Sequence, residues 1–253
     1  MGANEIVAVV TGAGRGLGRA VAEGFAAAGL RVALIDITED ELRAAEQELL
    51  TNGHAVRAFP TDVTDETAVA TMAQGVREAF GPVRVLVNAA AILEEQPFNT
   101  SDFAAWTRTL AVNLTGPWLC TKAFLPDMLA ARAGSIINVT SRAGIEPFAG
   151  ETAYCAAKYG LEGFSRALAL EVAEDGVAVN LITPGISIKP TSLSIAAFAA
   201  LTPAERARYA DPALLTPAFL DLITAAERGI TGQRFDAYQR SQQLRAGAEA
   251  KAS

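Results

Sequence analysis

Histidine and cysteine are nearly absent from this chain: His54 is the one histidine among 253 residues, and Cys120 and Cys155 are the two cysteines. That scarcity removes several chemistries. Zinc shells are built mainly from Cys and His, so a zinc-dependent alcohol dehydrogenase is not expected, nor is a Ser–His or Cys–His nucleophile centred away from His54. His54 precedes an apolar strand and reads as a surface residue. The two cysteines fall inside expected helices and give no disulfide framework; they read as reduced small hydrophobes in a cytoplasmic protein. No stretch approaches the run of about eighteen apolar residues that a membrane span needs. Met1-Gly2-Ala3-Asn4-Glu5 sets no basic cluster before an apolar run, so no secretory signal is expected. A formal charge of −7 offers no basic face for nucleic acid.

What the chain does have is a steady alternation of strand and helix patterns. Apolar runs at Ile6–Val10, Arg31–Asp36, Ala55–Phe59, Val83–Asn88, Ser135–Val139 and Val177–Ile182 read as strands. Between them lie helical patterns at Leu17–Ala28, Thr38–Asn52, Asp65–Phe80, about Asp102–Ala131 with a possible break near Gly116-Pro117, and Thr152–Ala173. Thr38, with Glu41 three residues on, has the form of a capping box. Continuous rather than alternating apolar strands, each followed by a helix, indicate a parallel sheet covered on both faces. The expected fold is a single α/β domain over residues 1–253, Rossmann-like and doubly wound, with about seven strands. Residues 186–228 are expected to form a substrate-binding lid, Phe219–Arg228 a final helix, and Arg234–Tyr238 a last strand before a frayed tail.

Two patterns carry chemistry. Thr11-Gly12-Ala13-Gly14-Arg15-Gly16-Leu17-Gly18 sits where a strand becomes a helix, so backbone N–H groups can approach a pyrophosphate at the helix N-terminus. Asp36 ends the next strand, where a carboxylate can accept hydrogen bonds from adenosine ribose hydroxyls and repel a 2′-phosphate. Arg15 pulls the other way, and Ile37 adds no second cation; the balance favours NAD over NADP. The second pattern is Tyr154-Cys155-Ala156-Ala157-Lys158, a phenol and an ammonium one helical turn apart. A nearby cation lowers a phenol's pKa and makes proton exchange with an alcohol feasible. The spacing alone is common in helices that contain both residue types.

Taken together, these motifs resemble the short-chain dehydrogenase/reductase family in its ordinary-length form, well over about residues 5–185 and loosely beyond. Thr11-Gly-x-x-x-Gly-x-Gly18 is similar to the family's cofactor turn, Asp62-Val63 to its adenine pair, Asn88 and Ala90 to the run after its fourth strand, and Pro184-Gly185 to its nicotinamide turn. Asn113 and Ser141 stand where the family has its helix asparagine and catalytic serine, Ser141 thirteen residues before Tyr154. The resemblance implies hydride transfer between a nicotinamide coenzyme and an alcohol or carbonyl. It implies that Tyr154 exchanges the proton and that Lys158 binds the nicotinamide ribose and depresses the phenol pKa. Ser141 would bond the substrate oxygen, and Asn113 would hold a water leading from Lys158 to solvent. The cofactor set would be Gly12, Arg15, Gly16, Leu17, Gly18, Asp36, Asp62, Val63, Asn88, Ala90, Tyr154, Lys158, Pro184 and Gly185, with no metal. The partners would be a small-molecule substrate and further copies of the chain, as a dimer or tetramer, with no nucleic acid or membrane.

The chain departs from the family pattern at three places. Ala89 and Ala91 replace an asparagine and a glycine after the fourth strand, and Ala91 would be strained if its position needs a positive φ. Five residues, Ile186-Ser187-Ile188-Lys189-Pro190, precede Thr191 where the family's threonine comes sooner, and the last strand lacks the usual glycine pair. For the substrate side, Leu93, Ile145 and Phe148 would face Ile186, Ile188, Leu193, Ile195 and Phe198 across the site. Glu94, Glu146 and Glu151 would supply polar contacts or remain solvated. Two other readings stay open: an NADP-dependent reductase of carrier-bound 3-oxoacyl chains, and a catalytically weak NAD-binding regulator.

Overall fold

A computed structural model describes residues 5–189 and 195–252. Each β-branched run forms a strand and each amphipathic stretch a helix, in the order β1 (Val7–Thr11), α1 (Gly16–Ala27), β2 (Arg31–Asp36), α2 (Glu39–Thr51), β3 (Val56–Pro60), α3 (Glu66–Phe80), β4 (Val85–Asn88), α4 (Phe103–Leu110), α5 (Gly116–Ala131), β5 (Gly134–Val139), α6 (Thr152–Val172), β6 (Val177–Thr183), α7 (Ile195–Ala200), α8 (Pro203–Arg206), α9 (Thr216–Leu222), β7 (Arg234–Asp236) and α10 (Ala237–Ala252). The seven strands form one parallel sheet in the order β3-β2-β1-β4-β5-β6-β7. This is the expected doubly wound single domain. Strand order reverses between β1 and β4, so their carboxyl ends diverge into the crevice where such sheets bind ligands.

Successive strand residues serve opposite faces. Ala8 and Val10 pack with Val21, Phe25 and Leu42 on one side, and Val7 and Val9 pack with Met72, Phe124 and Met128 on the other. Both faces are apolar because both are covered, which is why the strands read as unbroken hydrophobic runs. No helix among the described residues is long and apolar enough to cross a membrane.

Three local expectations change. Thr38 occupies the N-cap of α2, but its side chain makes no cap bond. Asp36 Oδ1 instead accepts from the Thr38 N–H at 2.9 Å, and Glu41 is drawn to Arg15 at 3.6 Å. The long helix before β5 is broken near Gly116-Pro117 as expected, by a π-turn at Ala111–Thr115. The expected frayed tail is helix α10, and Phe219–Arg228 divides into α9 and a short 3₁₀ turn at Ala226–Arg228. Helix α10 escapes periodicity analysis because it docks through polar contacts: Ser241 Oγ accepts from the Ala218 N–H and donates to the Leu215 carbonyl, and Arg240 pairs with Asp221 at 2.8 Å.

The segment read as a lid also divides. Leu215, Ala218, Phe219, Leu222 and Ala225 are buried in the core beside α1, so its later part is fixed structure. The earlier part runs over the sheet's carboxyl edge, where the Ala210 N–H donates to the Ser187 carbonyl at 2.8 Å. Phe198 meets Tyr209 edge-on, and Lys189 Nζ lies 5.9 Å from the Phe198 ring centre. Pro190, Thr191 and Leu193 lie outside the described residues, as does the side chain of Ile195.

Candidate active site

A cavity of about 770 Å³ opens at the carboxyl ends of β1 to β4. Gly12, Arg15, Gly16, Leu17, Gly18, Asp36, Asp62, Val63 and Ala90 all line it, which brings together most of the expected coenzyme residues. The glycine turn has a steric cause. Gly12 holds φ +70°, and a Cβ there would meet the Ala90 N at 2.9 Å, so β1 and β4 can approach only without a side chain. Thr11 completes the joint: its Oγ1 accepts from the Ala89 and Ala90 N–H groups at 3.0 and 3.1 Å. Arg15 stands at the N-cap of α1 with no side-chain cap bond, so the first turn of a twelve-residue helix borders the cavity uncapped by a side chain.

Asp36 is tied in at both oxygens. Oδ2 accepts from the Gly14 N–H at 3.0 Å and Oδ1 from Thr38. Each carboxylate oxygen retains a lone pair for a further donor. Asp62 Oδ1 likewise accepts from the Thr64 N–H and hydroxyl, at 2.9 and 2.7 Å. Val63 packs so closely on Gly116 that a Cβ there would lie 2.9 Å from Val63 Cγ2.

The altered run after β4 is accommodated. Arg132 is the one non-glycine residue at positive φ among the described residues, so Ala91 bears no such strain, and its methyl faces the cavity. Asn88 does not line the cavity. Its Nδ2 donates to Asn138 Oδ1 at 2.8 Å, and Asn138 Nδ2 donates to Ser165 Oγ at 2.8 Å, forming a polar ladder inside the sheet and onto α6. The sheet is thus secured by Asn88 and Thr11 without an amide at position 89. Pro184 and Gly185 also stand off the cavity. Gly185 sits at φ +77° beneath the Asp236 carboxylate, and the Pro184 carbonyl accepts from the Tyr238 N–H at 3.2 Å, so this turn seats β7 and α10.

Ser141, Tyr154 and Lys158 gather around the exit of β5, and Asn113 stands in the π-turn that packs on α6; none of the four lines the cavity. Ser141 leaves the strand in an extended conformation, and its Oγ accepts from the Ala143 N–H at 3.2 Å. It also hydrogen-bonds the Tyr154 phenol. Tyr154 and Lys158 share a face of α6, with Lys158 Nζ 5.5 Å from the phenol ring centre. Asn113, wholly buried in the π-turn, donates to the Ile92 and Thr109 carbonyls at 2.9 Å each. Its Oδ1 is buried with no protein partner among the described residues. π-turns inside helices are frequent at functional sites.

The electrostatics differ from expectation. Burial pushes the Tyr154 phenol up to about 12, with Glu151 and Cys155 adding to the rise and the Ser141 hydrogen bond opposing it. Lys158 is itself brought down to about 8 by burial. Its Nζ donates to the Val139 carbonyl at 2.9 Å, so the ammonium is directed at the strand rather than the phenol oxygen. The expected depression of Tyr154 by Lys158 is therefore absent from this geometry.

On the substrate side, Ile188 lines the cavity, Ile186 packs against the core, and Ile145 is exposed. Arg142 stacks over Phe148 at 5.3 Å. Two of the three glutamates are consumed by ion pairs, Glu94 with Arg108 and Glu146 with Arg142, each at 2.7 Å. Glu151 is pushed upward by burial and by its neighbour Glu95. The Cys120 thiol is buried and raised to about 12, which makes it inert. Sequence reasoning missed Glu162 and Arg234, which pair at 2.9 Å behind Ser141. Glu162 lies one turn beyond Lys158 on the face that carries Tyr154, and that spacing was the available signal.

The chain is similar in sequence and in fold to known proteins. The model of a family described as short chain dehydrogenase matches residues 6–198. A D-threitol dehydrogenase of Mycolicibacterium smegmatis is 37% identical over 180 residues, which cover 71% of this chain and 69% of that protein. A cis-4-hydroxycyclohexanecarboxylate dehydrogenase of Sinomonas cyclohexanicum is 36% identical over 234 residues, covering 90% and 93%. Among solved structures, an actinorhodin polyketide ketoreductase with NADPH superposes with a TM-score of 0.84 at 29% identity, covering 92% of this chain and 96% of that one.

Proposed function

Because the chain belongs to the short-chain dehydrogenase family and is an oxidoreductase of alcohols and carbonyls, we propose that it works with NAD and that Tyr154 handles the proton. The observation that carries this reading is the phenol of Tyr154, bonded to Ser141 at the carboxyl end of β5, in the same parallel sheet whose β1 to β4 carboxyl ends open into the cavity edged by the glycine turn and Asp36.

The described residues fit a dinucleotide. The uncapped first turn of α1 and the side-chain-free edge at Gly12 and Gly16 suit a pyrophosphate, and Asp36 suits the ribose hydroxyls. Arg15, ion-paired to Glu41, is less available to a 2′-phosphate. NAD is favoured over NADP on these grounds; the NADPH of the ketoreductase belongs to that protein. Lys158 and Tyr154 would meet the nicotinamide end.

The bound nicotinamide supplies or accepts the hydride. In carbonyl reduction Tyr154 donates its proton to the substrate oxygen while Ser141 hydrogen-bonds the same atom and orients it. A phenol held near 12 stays protonated at neutral pH, so the reductive direction finds its acid ready. In alcohol oxidation the phenol must first lose that proton, so the oxidative rate should climb with pH. The substrate would be a small or medium polyol, hydroxy acid, sugar or cyclic ketone, and the apolar walls at Ala91, Ile92 and Ile188 suit one that also presents apolar surface. Self-association in the cytoplasm, as a dimer or tetramer, belongs to the same proposal: Trp118 on α5 and Tyr159 and Leu170 on α6 present apolar surface outward. Of the 186–228 region expected to form a lid, the described residues ahead of α9 would close over the substrate.

A panel of alcohols with NAD, and of carbonyls with NADH, followed by nicotinamide absorbance, tests this reading. Turnover of at least one pair is expected; NADH binding without turnover across the panel would favour a coenzyme-binding regulator.

A further inference from the structure

Behind Ser141 lies a charged pair that proton transfer does not itself require. Glu162 on α6 is nearly fully buried. Its Oε1 accepts from Thr140 Oγ1 and from Arg234 Nε, each at 2.9 Å, and its Oε2 accepts from Arg166 at 3.1 Å. Arg234, on β7, turns its other arm to the Ser141 carbonyl at 3.1 Å. The planar guanidinium thus bridges the carboxylate and the backbone of the residue that bonds the phenol, a fork geometry an ammonium cannot reproduce. The Thr140 N–H donates to Ile182 on β6 at 2.8 Å. The exit of β5 is therefore fixed from three neighbours, β6, α6 and β7.

Two features argue that this is more than filling. A buried ion pair contributes little stability compared with apolar residues of the same volume, so stability alone is a poor reason to place one here. The local backbone is also shaped around it. A Cβ at Gly144, which ends the 3₁₀ turn opened by Ser141, would meet Thr140 Oγ1 at 2.8 Å and Glu162 Cγ at 3.1 Å.

We propose that Glu162 and Arg234 are a positioning pair that holds Ser141, and through it the Tyr154 hydroxyl, in register for proton transfer. This rests on the assignment of proton handling to Tyr154. The ionisable groups that face the phenol are Lys158 and Cys155 on its own helix and Glu151 in the turn before it. Glu162 lies one turn from Lys158 on α6, but the pair's hydrogen bonds lead toward the phenol through Ser141. The Ser141 hydrogen bond favours the phenolate, so a loosened Ser141 raises the pH at which the phenol can act as a base.

The test is the pH profile of alcohol oxidation in the full-length enzyme, for wild type, Arg234→Met, Arg234→Lys, Ser141→Ala and the double variant Ser141→Ala/Arg234→Met. In Arg234→Met the rising limb is expected to move up by about half a pH unit and kcat at neutral pH to fall about three- to tenfold. The NADH dissociation constant should stay within about twofold, and Arg234→Lys should recover only part of the loss. In the Ser141→Ala background, adding Arg234→Met should shift the limb no further. A full additional shift there, or an unshifted limb in Arg234→Met, overturns the pair's role. Should Arg234→Met fail to fold, Glu162→Gln keeps the volume and one acceptor and is expected to shift the limb in the same direction by less; no shift overturns the proposal. Absence of turnover in the wild type overturns the oxidoreductase reading itself, and this role with it.

Discussion

The two walls of the site are built from opposite materials. The coenzyme side, at the ends of β1 to β4, is mostly backbone and small side chains: Gly12, Gly16, Gly18, Ala89, Ala90 and Ala91 bound an open cavity. The β5–α6 corner is a buried polar assembly in which Asn138, Ser165, Lys158, Glu162 and Thr140 bond one another or nearby backbone. The first wall recognises by leaving room and exposing N–H groups. The second works by holding side chains still. Each wall should therefore fail in its own way, affinity on one side and chemistry or stability on the other.

The sharpest separation is expected from Tyr154→Phe, which should lower turnover by about 10²- to 10⁴-fold, the usual worth of a positioned proton donor, as measured by steady-state nicotinamide absorbance. Lys158 gives the next largest effect. Its folded pKa, brought down to about 8 from 10.5, means the unfolded chain binds more protons between those values. Stability linked to this group therefore rises as pH climbs through that window. Lys158→Met lacks this linkage, so denaturant midpoints should shift in the wild type's favour between pH 8 and 10.5, by up to about 3 kcal/mol. A pH-independent difference would show that the ammonium is better solvated than its burial implies. Asn138→Leu should cost about 1–3 kcal/mol, because the Asn88 amide loses its close partner inside the sheet. The same midpoints measure it, with coenzyme affinity unchanged. On the opposite wall, Asp36→Ala should narrow the NAD-over-NADP preference by about tenfold, with a stability cost of about 1 kcal/mol from the Gly14 and Thr38 N–H groups that lose their acceptor. An unchanged ratio would assign that preference to Arg15.

The two walls also differed in how readable they were. The glycine turn, Asp36 and the Tyr154–Lys158 pair are local patterns whose spacing states their geometry, and the strands followed from unbroken apolar runs. The Glu162–Arg234 pair joins residues 72 positions apart, and no local rule brings β7 to α6. Helix α10 was missed for a different reason: beyond Ala237 and Tyr238 at its start, it docks through Ser241 and Arg240 rather than an apolar stripe. Residues Leu215–Ala225 were read with the lid because burial of α9 depends on α1 and α10, which its own sequence does not announce. Ala91 looked strained only while its φ was unknown. The phenol was misjudged because helical spacing places an ammonium nearby without stating the burial that raises the phenol and lowers the ammonium.

The central claim is that the glycine-edged wall holds the coenzyme while Tyr154 at the buried corner handles the proton. An NADH fluorescence titration of Tyr154→Phe beside the wild type tests it most directly. The account predicts dissociation constants within about twofold of each other even as turnover collapses; affinity lost in step with turnover would contradict it.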